Sequence, residues 1–187
     1  MSLSKTPSRY GSLSIAMHWI MLVLIAATYF CMEYRTNFPK GSDTRALFSQ
    51  WHFMLGLSVF VLVWLRIIGR FIYPAPPIVP APPAWQMALA HLAHLALYGL
   101  MIGLPLAGWI ILSAADKPVP FWGLELPHLV GKNPDLAKQV KYWHETIAVL
   151  GYWLIGIHAL AALFHHYISR DNTLVRMLPG KGEAKPE

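Results

Sequence analysis

Four long apolar segments restrict what this chain can fold into more than any other feature of its sequence. They cover about residues 13–32, 47–68, 87–114 and 142–168. Each reaches the roughly 20 residues that a helix needs to cross a bilayer, and a helix satisfies its own backbone hydrogen bonds in lipid. With 56% hydrophobic and 13% charged residues, the chain has more apolar surface than a soluble fold could bury. The sequence therefore predicts an all-α integral membrane protein, a bundle of four transmembrane helices.

The segments between these spans are polar or rich in proline. Residues 71–85 contain six prolines and predict an extended, stiff loop, whereas residues 115–141 form the longest loop. Pro105 lies inside the third span and predicts a kink there. No internal repeat divides the sequence, so residues 1–187 are expected to form a single membrane domain with a flexible basic tail from about residue 179.

The distribution of positive charge predicts the orientation of the bundle only weakly. With the N-terminus inside, eight Lys and Arg residues fall on the inner side and seven on the outer side. The inner ones mostly lie close to helix ends, where basic residues influence topology most. This favours both termini in the cytoplasm.

The remaining composition excludes several classes of site. Cys31 is the single cysteine, so a disulfide scaffold and a cysteine-based iron–sulfur or zinc site are excluded. The net charge of +6 is typical of the basic flanks of a membrane protein. No nucleic-acid-binding motif is present, and no nucleic-acid partner is expected.

Histidines are the polar residues that recur in the predicted spans. The sequence has nine, of which eight fall in or at the ends of the spans. Ionisable residues inside a membrane are expensive and usually face a cavity or a cofactor. Carboxylates, which a proton or ion pathway would need, are almost missing from the spans, Glu145 being the exception. The pattern therefore favours a cofactor site over a transport pathway.

The depths of these histidines predict two layers. His144 and His158 are fourteen residues apart, which is about 21 Å of rise and nearly four helical turns. They therefore project from nearly the same face of the fourth helix. His52 lies near the outer end of its helix, at the level of His144, and His18 lies near the inner end, at the level of His158. Two imidazoles on opposite sides of a porphyrin form a b-type haem site, so the sequence predicts two haems b in the bundle core.

Other histidines leave alternatives open. His91 and His94 also lie near the inner end, on the third helix, and either could replace His18 as the inner ligand. His128 is expected to be solvated in a loop. His165 and His166, at the inner end of the fourth helix, are candidates for the membrane interface or for contact with a quinone head group.

Several motifs resemble those of one known family. They are SIAMHWIM around His18, FSQWHFMLG around His52, AHLAHLALYG in the third span, and KYWHETIAVLGYWLIGIHALAALFHHYISRDNTLVRMLPGK from Lys141 to Lys181. WHE followed by IH, then HHY and DNTL, is a specific combination. From about Arg9 to Lys181 the chain resembles the bacterial cytochrome b561 family, which consists of small four-helix, di-haem cytochromes of the inner membrane.

This resemblance implies a function. Within the family the similarity is greatest to the superoxide oxidase type, which takes electrons from superoxide on the periplasmic side and passes them to ubiquinone. The resemblance implies haem-iron ligands at His18, His52, His144 and His158, and a quinone contact at His165. The four ligand positions match the family.

Positive charge in the outer loops suits an anionic substrate. A site that oxidises superoxide should attract it towards the outer haem. Arg35 and Lys141 are the candidates for this steering, since Lys141 is three residues before His144. The alternative interpretation is that they are ordinary solvated charges, offset by neighbouring carboxylates.

Three classes of function remain. The first is a redox enzyme that transfers electrons from superoxide to ubiquinone. The second is a haem subunit that links a partner dehydrogenase or hydrogenase to the quinone pool. The third is a haem-free transporter or structural membrane protein, which would lack a Soret band when purified.

Overall fold

A computed structural model describes residues 8–180 as a bundle of four long helices. They are α1 (Ser12–Tyr34), α2 (Asp43–Ile72), α3 (Ala84–Ala114) and α4 (Pro134–Phe164). All four are long and apolar enough to cross a membrane. The four-helix membrane bundle expected from the sequence is therefore confirmed.

The helices bury little of their apolar surface against one another. Met21 of α1 packs with Val59 and Val63 of α2 in the main core. In contrast, Leu95 and Trp153 remain 69% and 71% exposed. Such outward apolar faces are what helices present to lipid, where no water penalises their exposure.

Helix α4 begins at Pro134 rather than at about residue 142. The side chain of Asn133 caps the helix by accepting a hydrogen bond from the Leu136 amide at 3.0 Å, and proline at the first helical position is already set for helical φ. The first two turns are polar, so a boundary drawn from the apolar run alone falls inside the helix. The same reason explains why α2 begins at Asp43, after the capping residue Ser42.

A β-hairpin that the sequence analysis did not predict lies between α3 and α4. Its strands are β1 (Val119–Phe121) and β2 (Leu124–Leu126), paired antiparallel. The two residues between them, Trp122 and Gly123, have φ of 48° and 87°. Positive φ at both positions matches the tight turns whose twist suits a hairpin. Three-residue strands give too short an alternation for the sequence pattern to reveal.

The hairpin covers the outer end of the bundle. Val119 is fully buried against Leu57 of α2 and Leu112 of α3. The indole nitrogen of Trp122 donates to the hydroxyl of Ser58 at 2.9 Å. The hairpin is therefore anchored to α2 by both apolar and polar contacts.

At the inner end, the segment after α4 binds both the N-terminal segment and the proline-rich loop. The helix continues as one turn of π-helix (His165–Ser169) before the chain reverses. Asn172 and Val79 exchange two hydrogen bonds, at 3.1 and 2.9 Å. Arg176 is buried, donates to the carbonyl of Pro76, and lies over the ring of Tyr10.

The flexible tail expected from about residue 179 falls mainly on residues 181–187, which lie outside the described part of the chain. Gly180, the last described residue, accepts a hydrogen bond from the Arg9 guanidinium at 3.1 Å. Pro105 lies within the continuous helix α3.

Gly151 leaves room for a hydrogen bond between α1 and α4. The hydroxyl of Tyr29 donates to the carbonyl of Ala148 at 2.8 Å, and a Cβ at Gly151 would lie only 2.5 Å from that hydroxyl oxygen. We expect Gly151→Ala to break this hydrogen bond and separate the helices, lowering the free energy of unfolding by about 1 to 2 kcal/mol. Thermal unfolding in detergent micelles measures the effect.

The matched control for this prediction is Gly99→Ala in α3. A Cβ at Gly99 meets nothing within 4 Å, so the change should be neutral or stabilise the helix by up to about 1 kcal/mol. Equal unfolding temperatures for the two variants would show that the α1–α4 contact does not need glycine.

Candidate cofactor-binding sites

The outer histidine pair meets across the bundle between α2 and α4. The ring centroids of His52 and His144 are 6.2 Å apart. Nδ1 of His52 lies 3.0 Å from the carbonyl oxygen of Thr28, so this nitrogen is placed to donate its proton to the backbone. That arrangement leaves Nε2 of His52 with a free lone pair, which is the state of a metal-binding imidazole.

A cavity of about 310 Å³ contains this outer pair. Glycines on two helices line it: a Cβ on Gly56 would enter open space, and one on Gly108 would lie 3.6 Å from Cε1 of His144. The absence of side chains at these positions leaves room for a flat group to approach the backbone.

The separation of the rings fits one metal ion between them. A metal–imidazole bond of about 2 Å, with about 1.1 Å from the nitrogen to the ring centre, puts two such rings about 6.3 Å apart. In addition, Nδ1 of His144 is buried and has no hydrogen-bond partner among the described residues, although the Leu104 carbonyl approaches this ring. The separation of the rings fits a haem bound at this layer, and the Leu104 carbonyl is the nearest group that could orient His144.

The inner layer contains three imidazole rings instead of two. The centroids of His18 and His158 are 6.4 Å apart, whereas those of His94 and His158 are 5.3 Å apart. Nδ1 of His94 lies 2.6 Å from the carbonyl of Ala90 in its own helix, and Nδ1 of His18 lies 3.3 Å from Nη2 of Arg66. The separation of His18 and His158 matches the 6.3 Å expected for two imidazoles around one metal ion. His94 and His158 are too close together to match it.

The two residues predicted to steer an anion differ in position. Arg35 lines the outer cavity, and its Nε is buried without a hydrogen-bond partner among residues 8–180. Lys141 is mostly exposed and pairs with Glu145 at 3.5 Å. Since Glu145 lines the cavity, Lys141 lies at its edge.

The sequence analysis missed two polar residues of this cavity. Tyr152 donates from its hydroxyl to Oε1 of Glu33 at 3.0 Å, and both residues line the cavity. Tyr152 is eight residues after His144, a spacing that returns to the same helix face. That spacing is the feature of the sequence from which Tyr152 could have been predicted to lie near the outer histidine pair.

At the inner end, His165 forms a pair with a buried carboxylate. Nδ1 of His165 lies 2.5 Å from Oδ2 of Asp171, and the Thr173 amide donates to Oδ1 at 2.8 Å. Burial alone would raise the pKa of Asp171, but hydrogen bonds from Thr173 and His165 outweigh it and lower that pKa below its usual value. Asp171 is therefore ionised at neutral pH and fixes the orientation of the imidazole.

Of the other histidines, His166 lies in the π-helical turn after α4, where its ring contacts that of Tyr167. His128 lies in the loop before α4, with Nε2 3.0 Å from the carbonyl of Lys117. His91 is exposed on α3. Neither is placed to form part of a pair.

Comparison with known proteins places these features in a family. A family model for prokaryotic cytochrome b561 matches residues 9–180. The chain is 45% identical over 172 residues to cytochrome b561 homolog 1 of Escherichia coli (strain K12), covering 92% of this chain and 98% of that protein. It is 39% identical over 177 residues to the probable superoxide oxidase CybB of Yersinia pestis, covering 92% and 97%. Cytochrome b561 homolog 2 of Escherichia coli (strain K12) is 28% identical over 182 residues, covering 95% of each chain.

Proposed function

Because the chain belongs to the prokaryotic cytochrome b561 family, we propose that it transfers electrons from superoxide at the periplasmic face to ubiquinone in the inner membrane. As a member of this family it is a membrane electron-transfer protein, and the family implies b-type haem. We propose in addition that the chain binds two haems, that its electron donor is superoxide and that its electron acceptor is ubiquinone.

The observation that supports two haems is the pairing of histidines at two depths. We assign His52 and His144 to the outer haem, and His18 and His158 to the inner one. A haem with two imidazole ligands supplies reversible one-electron transfer at its iron. The protein contributes the ligands, their orientation through backbone carbonyls, and an apolar environment that excludes water from the site.

His18 is the better inner ligand on geometric grounds. Its ring centroid is 6.4 Å from that of His158, close to the 6.3 Å expected for two imidazoles that would hold one metal ion, whereas the ring centroid of His94 is 5.3 Å away. His94 therefore lies too near His158 to share a metal with it at the separation described.

The charges at the outer cavity support a small anionic donor. Arg35 lies on the cavity wall together with the carboxylates of Glu33 and Glu145, so its guanidinium offsets part of their charge and gives an anion a positive group near the layer of His52 and His144. Lys141 adds positive charge at the edge. One relative is itself named a probable superoxide oxidase, which favours superoxide over other small anions.

The inner end offers a protonation site for a quinone. Asp171 holds Nδ1 of His165, so Nε2 is left to face a quinone carbonyl oxygen. Two superoxide ions each lose one electron and leave as oxygen, and ubiquinone takes up both electrons together with two protons. The imidazolium form of His165 donates one of these protons from Nε2, and solvent at the inner face supplies the second proton and the one that restores His165.

The topology supports cytoplasmic termini. The amide of Tyr10 donates to the carbonyl of Arg176 at 3.2 Å, so both ends of the described chain lie on one side of the bundle. The basic residues near the helix ends favour the cytoplasm for that side.

The experiment that tests this function is stopped-flow spectroscopy of the purified holoprotein. A pulse of superoxide should reduce the haem, and added ubiquinone should reoxidise it and sustain turnover. Added superoxide dismutase should abolish both signals, which makes it the control. Reduction that occurs only with a partner dehydrogenase would contradict the proposal, and protein without a Soret band would exclude haem altogether.

A further inference from the structure

Helix α2 repeats the spacing that defines the histidine layers of α4. Arg66 follows His52 by fourteen residues, as His158 follows His144. Fourteen residues are about 21 Å and nearly four turns, so Arg66 lies on the same face of α2 as His52. It therefore faces the bundle interior at the level of the inner layer.

The contacts of Arg66 confirm that level. Its Nη2 lies 3.3 Å from Nδ1 of His18, and its charge is close enough to act on His158 and, together with that of Arg70, on His94. The side chain is half-buried. The guanidinium is thus part of the environment of the inner layer.

No carboxylate pairs with Arg66 within residues 8–180. Except for Asp171, the acidic residues of this range lie towards the outer end of the bundle, and Asp171 binds His165 and Thr173. A charge inside a membrane span normally pairs with an opposite charge. The arginine therefore lacks the anion that its position calls for.

The position of the proton on His18 also requires an anion beside Arg66. An imidazole that binds metal through Nε2 has its proton on Nδ1, which makes Nδ1 a donor. The guanidinium of Arg66 has only donors. Two donors 3.3 Å apart need a shared acceptor, and a carboxylate with two oxygens satisfies both.

We propose that Arg66 binds a propionate carboxylate of the inner haem and fixes the orientation of that haem towards the cytoplasmic side. This inference rests on the proposed function, because it requires a haem between His18 and His158. It adds a positioning residue on α2, the helix that supplies no histidine to the inner layer.

Arg70 provides a matched control. It lies one turn further along α2, and its Nη1 donates to the hydroxyl of Tyr10 at 3.3 Å. The charge of Arg70 acts on His94, whereas that of Arg66 acts on the proposed ligands His18 and His158. Arg70→Gln therefore removes the same charge from the same end of the helix but leaves the contact with His18 in place.

The experiment is a spectroscopic redox titration of the holoprotein and its variants. A cation beside a haem favours the reduced iron, so Arg66→Gln should lower one of the two midpoint potentials. A tenfold change in the equilibrium constant is about 59 mV for a one-electron couple, and we expect a shift of this order. The other potential should stay unchanged, Arg66→Lys should restore most of the shift, and Arg70→Gln should have a much smaller effect.

Two further experiments identify which haem Arg66 acts on and which anion it binds. In a His158→Ala background, which should keep only the outer haem, Arg66→Gln should leave the remaining potential unchanged. Titration in vesicles of neutral lipid and of neutral lipid mixed with anionic lipid distinguishes a propionate from a lipid phosphate, since only a lipid partner makes the shift depend on the anionic lipid.

The outcomes separate this inference from the proposed function. Two haems with potentials unchanged in Arg66→Gln, a shift that needs anionic lipid, or equal shifts in Arg66→Gln and Arg70→Gln would overturn the inference alone. Protein that binds no haem would overturn the proposed function as well. If Arg66→Gln loses the inner haem, its return in Arg66→Lys supports the inference, and its loss in both variants overturns it.

Discussion

His144→Ala will be purified with one haem per chain in place of two. The imidazole is one of two rings whose 6.2 Å separation fits a metal between them, and alanine offers no ligand. His52→Ala should lose the same haem, because a site with one remaining imidazole binds haem far more weakly. The haem-to-protein ratio should fall by about half, with the two variants retaining the same spectrum; pyridine haemochrome assay and redox titration measure both.

The control for these variants is His128→Ala. This histidine is exposed in the loop before α4 and contacts the Lys117 carbonyl, so its loss should leave both haems in place. Retention of two haems in His144→Ala would remove the outer site from the proposal.

The inner pair has a corresponding test between two candidates. His158→Ala and His18→Ala should each lose the second haem and keep the first, whereas His94→Ala should keep both. If His18→Ala keeps two haems and His94→Ala keeps one, then His94 is the inner ligand and the rings shift apart when haem binds.

Arg35→Gln will slow the reduction of the protein by superoxide about tenfold, the lower end of the range for electrostatic steering. Arg35 lines the cavity of the outer pair, as do Glu33 and Glu145, so its removal makes the cavity more negative and less able to admit an anion. The rate of the wild type should also fall as salt is added, because ions screen steering, and this dependence should be weaker in the variant. Stopped-flow measurements at several ionic strengths test both effects.

Lys138→Gln is the matched control for this charge change. Lys138 lies at the start of α4, is largely exposed, and has its Nζ 3.9 Å from Oδ1 of Asp135. It does not line the cavity. Its removal lowers the net charge by the same amount, so a loss of rate equal to that of Arg35→Gln would show that overall charge, and no local site, attracts superoxide.

The sequence predicted the bundle and the histidine layers because both follow from helical periodicity. The fourteen-residue spacing of His144 and His158 is a property of one helix, and the spans are long enough for depth to be read along each of them. Contacts between side chains of different helices could not be predicted in the same way. The approach of His94 to His158 at 5.3 Å depends on how α3 rotates against α4, which a single sequence does not specify.

Other features were hidden for different physical reasons. The hairpin at Val119–Leu126 has strands of three residues, too short for a recognisable alternation. In the sequence, Arg66 is one of several basic residues near helix ends, and its contact with His18 becomes visible only when α1 and α2 are packed together. Polar first turns concealed the true start of α4 at Pro134.

The junction at the inner end determines when this protein can finish folding. The first helix meets the last part of the chain there: the indole of Trp19 donates to the carbonyl of Met177 at 2.9 Å, one residue after the one that Tyr10 contacts. A chain still emerging from the ribosome can insert its spans one after another, but it cannot close this end until residues 176 and 177 have left the ribosome. Closure of the inner end therefore follows the synthesis of all four spans, whereas the outer pair needs only α2 and α4 in the bilayer.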